Sequence, residues 1–551
     1  MNILMAHKHI FSQRWISSLD GKQILRISLA ILLLSCFLAG QEEMPYNKLA
    51  EELGCGNCHI GMTISDTMLI RAPDLSYAGE KYKAGYLYAY LKDPDIVRHN
   101  IGSSRMPNFL FSDNEALAVT KYLMSRKILP TEQKIKERAI GSSAGGFEVI
   151  HSEYQCTSCH LLNDVGKQLS TDFNKSGSRL NSNWMFDFIQ VPEKYAPKGS
   201  PMPNFFDDDF GHGLDEYSEK TITTMVAYLY EISKTKREEL DSTYLLREQM
   251  YPDVTVEMGQ KIFQSQFCQA CHTMNGEEVW FERNAPDLTQ QKIRTQEKWL
   301  RNYLLFPEAI RPFGFIPGTG SRMPDYRLTE TEKNELISWL GSKKDETELE
   351  PITKFISLKT EQILENHLPC KGCHQIDDSG GKVGPDLTNV GNRLTNSFIL
   401  NAVNNPHETM VGSVMPKTEM DPLLAPQIIS YLSRKQSNVK RLYPNLITQQ
   451  PYKVSNNYEG NCASCHGLNG DGKGFNAENM PTKPSDFTDA KEMANRADDT
   501  LYDTIHVGGR IMNKSHFMPG WGEKMSPKEI VDYVQTIRKF CNCEQPDWAK
   551  S

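Results

Sequence analysis

The stretch Cys268-Gln-Ala-Cys271-His272, followed 14 residues later by Pro286-Asp287-Leu288 and 51 residues later by Met323-Pro324, carries the pattern that decides the fold. The pattern of its first five residues, Cys-x-x-Cys-His, occurs four more times in the chain. Chance alone predicts about 0.008 occurrences of this pattern in a chain with 13 Cys and 14 His. The motifs therefore define a five-fold repeat with a period of about 100 residues. The other four are Cys55-Gly-Asn-Cys58-His59, Cys156-Thr-Ser-Cys159-His160, Cys370-Lys-Gly-Cys373-His374 and Cys462-Ala-Ser-Cys465-His466.

This spacing is typical of covalent haem attachment. Two thiols about one helical turn apart can form thioethers with the haem vinyl groups, and the adjacent histidine then ligates the iron. Zinc is the main alternative, but each motif would supply only half of a four-ligand site, because successive motifs lie 92 to 112 residues apart. A redox Cys-x-x-Cys interpretation leaves the five histidines unexplained. The sequence therefore predicts five haem c groups.

A Met-Pro dipeptide follows every motif. Random pairing predicts about 1.2 Met-Pro dipeptides, whereas seven occur, five of them once per repeat at matching places. Methionine is more often core filler than ligand, but this regularity favours a role as the second iron ligand. The other two, Met44 and Met480, are expected to be structural. The five candidate ligands are Met106, Met202, Met323, Met415 and Met518.

Between the histidine and the methionine, most repeats carry a Pro-Asp-Leu turn and then an amphipathic helical stretch that ends before a proline. The second repeat lacks the proline, and the fifth has the looser Pro484-Ser485-Asp486-Phe487. Each repeat closes on an aromatic residue followed by an aliphatic one. These pairs are Tyr122-Leu123, Tyr228-Leu229, Trp339-Leu340, Tyr431-Leu432 and Tyr533-Val534.

On these four positions per repeat, the chain resembles a string of class I cytochrome c domains over residues 44–540. The resemblance implies an all-α fold of five tandem small helical domains, each enclosing one covalent haem c. It implies that a proline-bearing loop supports the ligand histidine, and that the closing helix packs against the first helix of its own domain. The expected bounds are 44–132, 133–240, 241–350, 351–440 and 441–551.

The predicted site residues follow from this resemblance. Covalent haem attachment is assigned to Cys55, Cys58, Cys156, Cys159, Cys268, Cys271, Cys370, Cys373, Cys462 and Cys465. The axial iron ligands are assigned to His59, Met106, His160, Met202, His272, Met323, His374, Met415, His466 and Met518. Competing ligands are His99, His212, His407 and His516, although a lone histidine is more often a surface or hydrogen-bonded residue.

The N-terminus predicts export. Lys22 and Arg26 precede the uncharged run 27–40, which is short for a membrane span and fits the apolar part of a signal peptide within residues 1–40. Leu33-Leu34-Ser35-Cys36 resembles a bacterial lipobox, so Cys36 is a lipidation candidate. Cleavage after Gly40 and retention as an anchor are the alternatives. The predicted location is the extracytoplasmic (periplasmic) side, with membrane association. At the other end, Cys541 and Cys543 are expected to form a local disulfide or to stay free.

Composition excludes several classes of function. At 39% hydrophobic and 24% charged residues, the chain is not a polytopic membrane protein. Its net charge of −8 argues against nucleic acid, which requires a basic surface. The chain is therefore expected to carry single electrons in a bacterial respiratory or other extracytoplasmic redox chain, with redox proteins or a membrane respiratory complex as donor and acceptor. A multihaem oxidoreductase of the peroxidase or nitrogen-oxide reductase type, with one open haem in repeat two or five, is the alternative.

Overall fold

The computed structural model describes residues 44–64, 71–99, 101–130, 134–196, 200–206, 214–276, 284–341, 345–410, 413–418, 420–449 and 457–550. The chain divides into two units, Met1–Pro45 and Tyr46–Ser551, and the helices and strands below all belong to the second. Cys36 and His212 lie outside the described residues. No helix in the described part of the chain is both long and apolar enough to cross a membrane.

A helix leads into each motif, and a turn of helix carries the motif itself. The opening helices are Lys48–Glu52, Gly146–Glu148 continued by the π-helix Val149–Glu153, Val256–Ser265, Lys354–Asn366 and Asn457–Asn461. The motif turns are Cys55–Cys58, Cys156–Ser158, Cys268–Ala270, Cys370–Cys373 and Ala463–His466.

After the motif, each repeat has a one-turn helix and a longer middle helix. The one-turn helices are Ala78–Lys81, Ser176–Arg179, Gln291–Arg294, Val390–Arg393 and Ala490–Met493. The middle helices are Ala84–Lys92, Ser182–Gln190, Glu297–Leu305, Asn396–Asn404 and Asp498–Val507. The first four middle helices confirm the predicted amphipathic stretches. Each of these four ends two residues before a proline, because the residue preceding a proline is disfavoured in helical conformation.

Each repeat ends on a closing helix. Three of them begin at capping boxes, in which Ser112, Thr329 or Ser526 exchanges hydrogen bonds with a glutamate three residues later. The closing helices are Asp113–Ser125, Glu216–Ile232, Glu330–Leu340, Leu424–Ser433 and Pro527–Cys541. Further helices are Phe173–Lys175, Pro192–Lys194, Lys234–Met250, Pro406–Thr409, Leu446–Gln449, Ala477–Asn479 and Asp547–Ala549. The strands form two antiparallel hairpins, Leu161–Leu162 with Val165–Gly166 and Gln375–Ile376 with Ser379–Gly380.

Repeats one and three exchange their helical partners. The closing helix of repeat one packs on the opening helix of repeat three, where Tyr122 and Phe263 lie with ring centroids 5.3 Å apart. Gly259 permits this contact, since a Cβ there would lie 1.9 Å from the carbonyl oxygen of Ala118. In the reciprocal contact, Asn47 beside the opening helix of repeat one donates to Glu335 on the closing helix of repeat three.

The expectation that each closing helix packs on its own opening helix is therefore wrong for repeats one and three. It is confirmed in repeat two, where Gly146 lies against Tyr228, and in repeat five, where Tyr458 and Phe540 are 5.0 Å apart. The cores agree with this division. One apolar cluster combines residues of repeats one, two and three, whereas repeats four and five each have a cluster of their own.

Two connecting segments hold the exchanged pair together. Helix Lys234–Met250, between repeats two and three, packs on the middle helix of repeat one, with Tyr244 against Tyr88 at 6.5 Å. Segment 435–449, between repeats four and five, runs back to repeat one, where the backbone N–H of Leu446 donates to Glu115 at 2.7 Å. Helix Lys234–Met250 and segment 435–449 are thus packed against repeat one and not loose tethers.

Candidate haem sites

The five motif histidines share one hydrogen-bond pattern. Each ring places Nδ1 against a backbone carbonyl oxygen, at distances of 2.7 to 3.2 Å. A carbonyl only accepts, so Nδ1 carries the proton and Nε2 keeps its lone pair for a metal. Burial lowers the pKa of all five rings, which favours the neutral form that ligates iron.

The carbonyl partners reveal the exchange at the site itself. His59 of repeat one donates to Pro286 of repeat three at 2.8 Å, and His272 of repeat three donates to Pro73 of repeat one at 3.0 Å. The flanking backbone shows the same exchange. The N–H of Leu288 donates to the carbonyl oxygen of Ile60, and the N–H of Leu75 donates to that of Thr273, both at 3.0 Å. His160, His374 and His466 instead use Thr171, Pro385 and Ser485 of their own repeats.

Repeats two and five replace the Pro-Asp-Leu turn without losing the hydrogen bond. Thr171 supplies the carbonyl in repeat two and Ser485 in repeat five, since any residue has a backbone carbonyl to offer. Two residues later, where the other repeats have leucine, Phe173 stacks on His160 at 4.0 Å and Phe487 stacks on His466 at 4.5 Å. The absence of the proline therefore does not weaken the support of His160.

One cavity of about 1630 Å³ passes through repeats one, two and three. Most of its lining is apolar, as expected for a site that encloses a macrocycle. The predicted ligands of these three repeats all lie on its wall, namely Cys55, Cys58, His59, Met106, Cys156, Cys159, His160, Met202, Cys268, Cys271, His272 and Met323.

In repeat five, Met518 packs beside Cys462 against the core, and Met415 of repeat four is half-buried. In repeats one, two and three, the methionines and motifs thus line one cavity. In repeat five, the methionine and the motif lie against the same core.

The cysteine chemistry disfavours the alternatives to haem. All ten motif cysteines are unbridged, and burial raises the pKa of nine of them, for example Cys268 to about 12 and Cys156 to about 11. Redox-active thiols have lowered pKa values instead. Among the described residues, no three His, Cys, Asp or Glu side chains are arranged to hold a metal ion. Cys541 and Cys543 form the local disulfide that was one of the two expectations.

The competing histidines differ in their surroundings. His99 is exposed. His516 places Nε2 2.9 Å from the carbonyl oxygen of Glu365, so this ring links repeats five and four. His407 is half-buried, and its Nε2 is buried with no hydrogen-bond partner among the described residues. Of the three histidines that can be described, only His407 has a ring nitrogen that is both buried and without a hydrogen-bond partner among the described residues.

Two segments of the chain match known protein families. Residues 256–344 match the family model for Cytochrome c. Residues 450–535 match the model for cbb3-type cytochrome c oxidase subunit III. These matches support a c-type cytochrome. They fall on repeats three and five, and both segments include a motif, a Met-Pro dipeptide and a closing helix. No curated protein matches the chain.

The cytochrome c domains imply covalently bound haem c with iron, electron transfer and redox protein partners. Domains of the cbb3 type are typically extracytoplasmic, in agreement with the predicted location. The residues present fit this cofactor. Each of repeats one to three places two thiols, an imidazole with a free Nε2 and a half-buried thioether on the apolar wall of the cavity. The sequence did not reveal the exchange between repeats one and three. It did contain a signal, since Ser-Arg-Met-Pro occurs only at 104–107 and 321–324.

Proposed function

We propose that this chain is a pentahaem c-type cytochrome that carries single electrons between redox partners on the extracytoplasmic side of the membrane. The observation that carries the proposal is the common geometry of the five motif histidines. Each is at least half-buried and donates through Nδ1 to a carbonyl oxygen, so that five Nε2 atoms are available as iron ligands. When bound, haem c supplies a one-electron iron couple.

The five methionines would supply the second protein ligand of each iron and so complete its ligand set. Such a set leaves no position for substrate, which favours electron transfer over the oxidoreductase alternative. The carbonyl partners hold the histidines in one orientation. The apolar walls exclude water and so reduce the rearrangement that accompanies a change of charge.

The exchange changes which methionine serves which motif. The loop that holds His59 belongs to segment 284–341, and this segment also carries Met323. The loop that holds His272 belongs to segment 71–130, which carries Met106. The proposed ligand pairs are therefore His59 with Met323 and His272 with Met106. The pairs His160 with Met202, His374 with Met415 and His466 with Met518 stay within their repeats.

A redox titration of the purified protein with haem quantification tests the function. We expect five haems per chain, five one-electron steps, and no rapid binding of CO or cyanide to the native protein. Rapid stoichiometric binding to a native haem would contradict the saturated ligand sets and favour the oxidoreductase alternative. Fewer than five haems would contradict the count.

Variants that lack one haem test the ligand pairs. Replacing Cys55 and Cys58 by alanine removes covalent attachment at the first motif, and the methionine-to-iron charge-transfer band of the remaining haems is then measured. In this background, Met323→Ala should leave the band unchanged, because the haem that it serves is absent. Met106→Ala should reduce the band by the contribution of one haem. The reciprocal background, with Cys268 and Cys271 replaced, should invert the two results. If each methionine instead follows its own motif, the exchange of ligands is wrong.

Membrane attachment is proposed to occur through Cys36. A Cys36→Ser variant should move from the membrane fraction to the released extracytoplasmic fraction while keeping its haems. Retention of the variant in the membrane would instead support an uncleaved anchor. The proposed donor and acceptor are redox proteins or a membrane respiratory complex.

A further inference from the structure

Two joints in the structure are built alike. At the first, Tyr82 of repeat one and Leu180 of repeat two form an antiparallel bridge, in which Lys83 N–H donates to Arg179 and Asn181 N–H to Lys81, both at 2.9 Å. At the second, Thr295 and Leu394 bridge repeats three and four through the corresponding backbone bonds, at 2.9 and 3.1 Å. The same pairing of repeats therefore occurs twice.

Each joint gathers three positive charges, one of them buried and the other two half-buried. The residue before each bridged position is basic, which places Lys81 beside Arg179 at the first joint and Arg294 beside Arg393 at the second. A third cation lies 17 residues after the first one in each case. We call these sets the cation triads; they are Lys81, Arg98 and Arg179 at the first joint, and Arg294, Arg311 and Arg393 at the second.

No described carboxylate is paired with a triad, although the charges of Asp287, Asp386 and Glu308 act on the second one. Among the described residues, none of the six cations forms an ion pair with a carboxylate, and the Nε atoms of Arg179 and Arg393 are buried without a hydrogen-bond partner. Asp386 lies near the second triad, but its side chain is held by Arg441 at 2.8 Å. Buried charges of one sign are costly unless an anion joins them.

Repulsion between the cations of a triad lowers their pKa values. Burial, together with Arg179 and Arg98, lowers the pKa of Lys81. At the second joint, burial and then repulsion by Arg294 and Arg393 lower the pKa of Arg311 to about 9. Both triads line the same cavity as the motif cysteines and histidines of repeats one to three.

We propose that each cation triad binds the carboxylates of two haems and thereby couples them. Because of the exchange, the first triad serves the haems at His160 and His272, and the second serves the haems at His59 and His374. This inference rests on the proposed function, because it requires haem at each motif. The cysteines would hold a haem through its vinyl groups. Its carboxylates would therefore need other residues of the cavity wall to bind them. Guanidinium groups suit that role through paired N–H bonds. The triads draw cations from two repeats, so each serves two haems at once.

The test is a comparison of reduction potentials in variants of the full-length haem-loaded protein. Arg311→Gln removes one charge from the second triad, and Arg98→Gln removes one from the first. A nearby positive charge favours the ferrous state, so its removal should lower the ratio of reduced to oxidised haem about tenfold at a fixed potential. We expect Arg311→Gln to lower the potentials of two haems and Arg98→Gln to lower those of two different haems.

A matched control is Lys298→Gln, which removes an exposed charge from the middle helix next to Arg294 and should shift no haem. Lys81→Met provides a second variant at the first joint, because it keeps the side chain packed on Trp184 while removing its charge. It should lower the same two potentials as Arg98→Gln. The inference is overturned if a variant that keeps five haems shows a changed reduction potential at only one haem, or changes equal to those of the control. These results leave the proposed function intact. A wild-type protein with fewer than five haems overturns the proposed function instead.

Discussion

Arg322 and Glu115 form an almost completely buried ion pair, with Nη2 and Oε1 2.6 Å apart and side chains 2% and 1% exposed. Arg322 precedes the candidate ligand Met323 of repeat three, whereas Glu115 caps the closing helix of repeat one. The reciprocal pair, Arg105 with Glu332, has its closest atoms 2.8 Å apart and both side chains 17% exposed. Each methionine loop is thus fastened to the closing helix of the other repeat.

Breaking the buried pair should destabilise the exchanged repeats strongly. Glu115→Gln leaves the Arg322 charge without its carboxylate, and removing one partner of a buried pair costs about 3–5 kcal/mol. Glu332→Gln should cost about 1 kcal/mol, because the Arg105 pair is partly open to water. Urea unfolding followed by haem absorbance measures both losses. The exposed Glu478→Gln serves as the control, and equal losses for all three variants would show that burial of the pair is unimportant.

The same pair predicts a loss of stability in acid. Burial alone would raise the pKa of Glu115, but the charge and hydrogen bonds of Arg322 outweigh it and hold the pKa below its usual value. The bond from Arg105 likewise lowers the pKa of Glu332. A lowered folded-state pKa contributes stability above the unfolded value of about 4.3, and this stability disappears as the pH falls through the folded pKa. The melting temperatures of wild type and Glu115→Gln should therefore converge below about pH 4.

Excised repeats should differ in their ability to fold. Repeat four has its own apolar core, so residues 345–440 with their haem should unfold cooperatively. Residues 44–132 alone should not, because their closing helix lacks Val256–Ser265, on which it packs. Joining residues 44–132 to 241–350 through a flexible linker should restore a cooperative transition. Circular dichroism during denaturation measures all three, and cooperative unfolding of residues 44–132 by themselves would contradict the exchange.

The histidines near the methionine loops make a separate prediction about iron ligation. His516→Asn should leave the visible spectrum and all five potentials unchanged, since its Nε2 is engaged with the Glu365 carbonyl. His407 has a buried Nε2 with no described partner, so we expect this ring to replace the lost thioether in Met415→Ala. The double variant with His407→Ala should lack the resulting change in the visible spectrum. If His407→Ala alone changes the spectrum, His407 and not Met415 ligates the fourth haem.

Local features of this chain were predictable because local rules produce them. The Cys-x-x-Cys-His spacing indicates attachment within one helical turn, and the proline after each of four middle helices marks where the helix ends. The carbonyl partner of His160 was not predictable, because repeat two lacks the expected proline and Thr171 supplies the carbonyl instead. Backbone groups leave no signature in the side-chain sequence.

The partners of repeats one and three could not be predicted from their spacing. Tyr122 meets Phe263 in a contact that one domain of this type would make internally, so the same residues satisfy either arrangement. Only side chains that are complementary between two repeats distinguish them. Arg105 and Arg322 are such side chains, because arginine precedes the methionine in these two repeats and in no other.

The exchange also sets an order of events during biogenesis. His59 is synthesised 227 residues before Pro286, the residue whose carbonyl accepts its hydrogen bond. Closure of so long a loop is entropically costly, and contacts distant in sequence form slowly. The first motif must therefore wait, with its apolar surroundings exposed, while repeat two and the motif of repeat three emerge. A chain that stops before residue 284 lacks the loop that supports His59, so its first repeat keeps that apolar surface exposed.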